Sequence, residues 1–152
     1  MSLAQEIKDD FLVAFKDKQD TTVSVLRMLK SSLTNKEIEK KLEKGTDLPD
    51  DDILAVIKTE IKKRKDSYTS YKDANRDDLA EVEEREIKVL EKYIPEQMSE
   101  DKVREIVLSV IKETGASSPK DFGKVMGASM SKLGGQADGQ IVSKILKEEL
   151  NK

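Results

Sequence analysis

An all-helical protein in two parts is predicted by three features of the sequence. Apolar residues recur at helical spacing throughout the chain, the mark of amphipathic helices. Pro95, followed at once by Glu96, Gln97 and Met98, interrupts that spacing and sets a boundary between Tyr93 and Ser99. Charged residues make up 39% of the 152, against 36% hydrophobic, 4% aromatic and no tryptophan, which suits exposed helices joined along aliphatic seams. The predicted fold is therefore all-α: an N-terminal antiparallel helical domain over residues 1–94, a short proline-containing linker, and a small C-terminal three-helix module over residues 95–152.

The first helix is expected from Leu3 to Lys18, with Leu3, Ile7, Phe11, Ala14 and Phe15 on one face. Thr21 or Thr22 is the expected cap of the second, which turns Val25, Leu26, Leu29 and Leu33 inward and gives way to a loop at Gly45 to Pro49. Its Lys36 to Lys41 stretch alternates charge as a solvated face does. Arg27 falls off the main apolar stripe and reads as a surface or docking residue. Asp50 to Asp52 suit the positive end of a third helix, whose inward positions are Leu54, Ile57, Ile61, Tyr68 and Tyr71. A fourth, from about Asp77 to Tyr93, turns in Leu79, Val82, Ile87 and Leu90.

Three charges fall on these apolar faces: Arg64 on the third helix, Glu83 and Glu86 on the fourth. An unpaired ion in such a place costs several kcal/mol, so Arg64 is expected to meet Glu83 or Glu86 across the two helices. Paired carboxylates also perform acid–base chemistry, but with no second charged centre beside them a structural ion pair is the favoured reading. Lys58, Lys62 and Lys65 share one side of the third helix, diluted by Glu60 and Asp66 and without an interleaved aromatic. They are a secondary basic candidate beside the plainer reading as a solvated face.

After Pro95, Ser99 caps a helix carrying Val103, Ile106, Val107, Val110 and Ile111 and ending at Gly115. Ser118 and Pro119 open another, with Phe122, Val125, Met126, Met130 and Leu133 at helical spacing, stopped by Gly134 and Gly135. Ile141, Val142, Ile145, Leu146 and Leu150 form the last. Within the middle helix Gly123 and Gly127, four residues apart, bare a strip of backbone at a cost of about 1 kcal/mol each relative to alanine. Spacing alone favours a tightly packed neighbouring helix. The alternative is a nucleic-acid backbone approaching the strip, with Lys120, Lys124 and Lys132 nearby.

Composition excludes several classes. The formal net charge of -3 offers no global attraction to polyanions, so any RNA contact must come from a local patch. With no cysteine and no histidine, a disulfide framework, the usual zinc sites and serine–histidine or cysteine–histidine catalysis within one chain are all ruled out. No metal and no cofactor is expected. No apolar run reaches the ~20 residues of a membrane span and no signal peptide precedes the first helix, so a cytoplasmic protein without membrane attachment is expected.

The segment Asp121-Phe122-Gly123-Lys124-Val125-Met126-Gly127, followed by Met130, Lys132-Leu133 and Ala137-Asp138-Gly139, resembles the C-terminal signature of the YqeY family. Leu26-Arg27-Met28-Leu29, Arg76-Asp77-Asp78-Leu79 and Tyr93-Ile94-Pro95 resemble its N-terminal half, so the resemblance spans the chain. The family is similar to the tail domain of the B subunit of tRNA-dependent Asp/Glu amidotransferase. The resemblance implies an all-helical two-part fold, a C-terminal module similar to one that touches tRNA, and no catalytic residue. Where relatives carry Lys and Arg before Ala137, this chain has Gly134 and Gln136, and two positive charges are absent from that loop.

The function so implied is that of a non-catalytic tRNA-binding accessory protein. Its expected partners are tRNA and an aminoacylation or amidotransferase protein. Expected RNA contacts are Lys120, Gly123, Lys124, Gly127, Lys132, Gly134, Gly135, Gln136 and Gly139, where glycines admit a phosphate backbone and lysines supply charge. Two alternatives stay open. One is a component of a carbon–nitrogen ligase that uses glutamine as amide donor, a reading that follows from the family's naming; the other is a helical protein–protein adaptor.

Overall fold

The computed structural model describes residues 1–152 and is all helical, with seven α-helices and one short 3-10 turn. The chain divides into two compact units, Met1–Ile94 and Pro95–Lys152.

The first unit contains α1 (Leu3–Lys16), α2 (Asp20–Glu39), α3 (Asp50–Asp73) and α4 (Asp77–Glu91). Ser2 caps α1 by accepting from the Gln5 N–H. Ile7, Val25, Leu26, Leu29, Ile53, Ile57 and Leu90 are almost wholly buried in its core, and Leu48 is drawn in from the loop before α3. The connection between α3 and α4 is only three residues long, which forces the two helices antiparallel. Asn75 lies in the left-handed region there (φ 57°), as do Lys18 and Lys41 after the ends of α1 and α2.

Some expected positions differ. Phe15 is 61% exposed and stacks on Phe11, because α1 ends just beyond it and no element passes over that side. Val82 also faces solvent, while Ala80 takes the buried place on α4. On α3 the fully buried residue of the first turn is Ile53, with Leu54, Tyr68 and Tyr71 only partly covered. The α1–α2 turn is so short that α2 begins at Asp20, with Gln19 at the cap position; neither threonine caps it. Tyr93 is buried beyond the end of α4, and its hydroxyl donates to Asp10 Oδ2 at 2.7 Å.

The second unit contains α5 (Glu100–Thr114), a 3-10 turn (Pro119–Asp121), α6 (Phe122–Leu133) and α7 (Gly139–Leu150). Ser99 caps α5 through the Lys102 N–H, and Gly115 ends it in the left-handed conformation. The core is aliphatic: Val103, Val107, Val110, Val125, Leu133, Val142, Ile145 and Leu146. Ile141, expected inward, is 40% exposed because Val142 occupies the core position of that turn. Arg104 joins α5 to α7, donating to Glu148 and Glu149, each at 2.6 Å.

Candidate nucleic-acid interface

Helix α6 turns Val125, Ser129 and Leu133 into the core, which places positions 123, 124 and 127 on its outward side at 100° per residue. Gly123, Lys124 and Gly127 are all exposed, as is Lys120 on the preceding turn. A Cβ built on Gly123 or on Gly127 would meet no other atom within 4 Å. This corrects the packing reading that spacing favours. No helix lies against the strip, so intramolecular packing does not require glycine at either position. What the strip offers outward is backbone with a lysine before it and another within it.

Other expected contact residues are already engaged. Lys132 Nζ donates to Glu113 Oε1 at 3.0 Å and to Ser109 Oγ at 3.4 Å, which ties α6 to α5. The hydrogen bond from Lys132 holds the Glu113 carboxyl below its ordinary range. Gly134 (φ 55°) and Gly135 (φ 84°) form the left-handed turn that ends α6, a conformation that disfavours side chains. The Gly135 carbonyl accepts from Gln97 Nε2 at 3.2 Å, and the Gln136 carbonyl accepts from the Met98 N–H at 2.8 Å. The α7 start is not an open anion site either. Asp138 caps it, accepting from the Gln140 N–H at 2.8 Å, so a carboxylate already occupies the positive end of the dipole. Gly139 sits against Met126 and Met130, whose terminal carbons would touch an added Cβ at 3.9 Å.

The nine residues named from sequence therefore separate into two groups. Lys120, Gly123, Lys124 and Gly127 form an outward surface, while Lys132 and the Gly134 to Gly139 stretch build the turn and its anchoring. One residue was missed. Lys147 of α7 reaches over the Phe122 ring, 6.0 Å from its centroid, and adds a cation beside the first turn of α6. The exposed i, i+3 pair Lys144 and Lys147 was the available signal, although Lys144 itself lies 3.5 Å from Glu100.

In the first unit, Arg64 Nε donates to Glu86 Oε2 and its NH1 group to Glu60 Oε2, both at 3.0 Å. NH1 also reaches the Glu60 carbonyl at 3.2 Å, and Ser32 Oγ donates to Glu60 at 3.3 Å. Glu83 makes no ion pair with Arg64; burial, and then the neighbouring Glu86, raise its carboxyl above the ordinary value, partly opposed by Arg64. Burial acts to raise the Glu60 carboxyl too, but the hydrogen bond from Arg64 and the nearby Lys63 bring it below its ordinary value. The partner missed from sequence is thus Glu60, four residues before Arg64 on the same helix. No group of three or more carboxylates or other ligand side chains is arranged to hold a metal ion. Of the secondary basic run, Lys62 and Lys65 are exposed and Lys58 is half-buried.

Fold and surface together define a two-unit helical protein with a bare, cation-flanked helix face in its second unit. The chain belongs to the YqeY family, since the model of Yqey-like proteins matches residues 4–150. It is similar to the protein "Altered inheritance of mitochondria protein 41, mitochondrial" of Vanderwaltozyma polyspora, at 28% identity over 152 residues covering 95% of this chain and 80% of that relative. The protein of the same name from Pyrenophora tritici-repentis is 28% identical over 145 residues, 93% of this chain and 77% of its own. An uncharacterized protein of Schizosaccharomyces pombe is 36% identical over 100 residues, 64% of this chain and 76% of that one. No helix of this chain is long and apolar enough to cross a membrane.

Proposed function

We propose that the protein is a non-catalytic accessory factor whose second unit leans on the phosphate backbone of a structured RNA, with tRNA the class its family resemblance implies. The observation that carries this reading is the outward placement of Gly123 and Gly127 on α6, with Lys124 between them and Lys120 exposed on the turn just before the helix. Two glycines in a helix cost stability without any return in packing here, so a close approach from outside the unit accounts for them. Lys120, Lys124 and Lys147 supply a local charge that the chain's net charge of -3 does not.

Contact is weak and shape-led, because Lys132 is held by Glu113 and Asp138 shields the α7 start. The role is non-catalytic in this proposal because the buried charges of the first unit serve one another: Arg64 is shared between Glu60 and Glu86. A partner protein with aminoacylation or amidotransferase activity would supply any chemistry. We place the protein in an aqueous compartment, the cytoplasm by the sequence reading. Several relatives are called mitochondrial in their names, which makes an organelle interior the competing assignment. Electrophoretic retardation of unfractionated tRNA at about 50 mM salt tests the reading. Retardation that disappears by about 200 mM supports it, and none at the lower salt contradicts it.

A further inference from the structure

The outer side of the first unit carries an apolar ridge that its own fold leaves uncovered. Leu12 and Phe15, three apart on α1, are 64% and 61% exposed, and Phe15 stacks on Phe11 with ring centroids 6.2 Å apart. From α2, Lys30 Nζ lies 4.6 Å from the centre of the Phe11 ring and the Arg27 guanidinium 6.0 Å from it. Neither cation makes an ion pair, whereas Lys8, Lys36 and Lys40 in the same unit each find a carboxylate. Below them Ser31, Thr34 and Asn35 line a shallow groove with polar side chains.

We propose that this α1–α2 face docks an acidic amphipathic segment of a partner protein. Its apolar residues would cover Phe15 and Leu12, and its carboxylates would meet Arg27 and Lys30. Charge complementarity selects the partner's sign, since two unpaired cations flank the ridge and no unpaired carboxylate is needed from this side. The shape selects a protein over a nucleic acid. Phe11 is covered on its face by Lys30 and stacked on Phe15, and the ridge continues into the aliphatic Leu12, so the surface is an anchor for apolar side chains more than a platform for bases. Phe11 and Phe15 are four apart and Leu12 and Phe15 three apart, so the three are neighbours on the α1 surface and form one apolar strip. Phenylalanine and arginine, both present on this face, are also residue types enriched in protein interfaces. This inference concerns the first unit and stands apart from the RNA reading of the second.

The full-length chain is titrated against three labelled probes, with fluorescence anisotropy as the readout. One is a helix-forming peptide of about sixteen residues with Leu and Phe on one face and Glu elsewhere; the second replaces Glu by Lys; the third is single-stranded oligouridine. Saturable binding of the acidic peptide below about 1 mM is expected, weakened at least about tenfold by Phe15→Ala and by the pair Arg27→Glu, Lys30→Glu. These side chains lie on the surface, and unchanged far-ultraviolet circular dichroism shows that the variants fold. Gly127→Leu leaves the acidic peptide's affinity unchanged, which keeps a failure here distinct from a failure of the RNA reading. No binding of the acidic peptide, equal binding of the basic one, indifference to the substitutions, or tighter binding of oligouridine lost in the same variants would each overturn the proposal.

Discussion

Arg64 donates from Nε to Glu86 Oε2 across 3.0 Å, linking the middle of α3 to α4 inside the first unit. The Arg64 side chain is 7% exposed, and its remaining donors go to Glu60 and to the Met28 sulfur. A guanidinium so enclosed makes the two carboxylates depend on it. Arg64→Met should cost about 3 kcal/mol of stability because it strands Glu60 and Glu86 without their cation. The cost should fall by more than about 0.5 kcal/mol when Glu86→Gln is added. Urea denaturation of the four members of that cycle measures the coupling, and additive losses would show that the pair does not act as one.

Glu83 and Glu60 should respond to pH in opposite directions. The folded-state value of Glu60 is depressed below its ordinary 4.5, so its stabilising contribution is present above that value and is lost as the pH falls through the folded one. Glu83 is raised above 4.5, so its ionised form opposes folding above the raised value, and the penalty vanishes as the pH falls below 4.5. Glu83→Gln should therefore stabilise the protein by a few tenths of a kcal/mol near pH 7 and have little effect near pH 3. Chemical denaturation at both pH values checks it; equal effects at the two would contradict the sign.

Ser129 is fully buried on α6, and its hydroxyl has no hydrogen-bond partner. Ser129→Ala removes that polar group from the aliphatic core and should raise stability by about 1 kcal/mol, read from the midpoint of thermal unfolding. A loss of similar size would show that the hydroxyl is satisfied in solution.

Gly123 and Gly127 have ordinary helical backbone and open space where a Cβ would stand. Gly123→Ala and Gly127→Ala should each stabilise the second unit by about 0.5–1 kcal/mol, since alanine removes the entropic cost of glycine and meets no clash. Destabilisation in either variant, seen by the same denaturation assay, would mean that something lies against the strip after all.

The fold class was legible because helical spacing runs through almost the whole chain, and the second compact unit begins at Pro95. Arg64 and Glu86 stood out as charges on apolar faces. Glu60 did not, because its place among Lys58, Lys62 and Lys63 made it look like part of a mixed solvated face. The direction of the glycine strip was illegible for a different reason. Spacing reveals that two glycines share a side of a helix but not which side, and Phe122 and Met126 beside them are partly buried. Contacts between helices were equally hidden: Lys132 with Glu113, Arg104 with Glu148 and Glu149, and Lys147 over Phe122 all join residues at least 19 positions apart. Asp138 could have been read from its place before the last apolar run, where aspartate commonly caps a helix.

The central claim is that the outward strip of α6 meets RNA, and Gly127→Leu tests it most directly. Leucine at this exposed helical position should leave the fold intact, as judged by circular dichroism and the unfolding midpoint, while its side chain blocks close approach to the backbone. Binding of tRNA measured by fluorescence anisotropy at about 50 mM salt should fall at least tenfold in this variant, as it should in the Lys120→Ala, Lys124→Ala pair. If the folded Leu variant binds tRNA as the unaltered protein does, the strip is not the contact surface and the account of this unit is wrong.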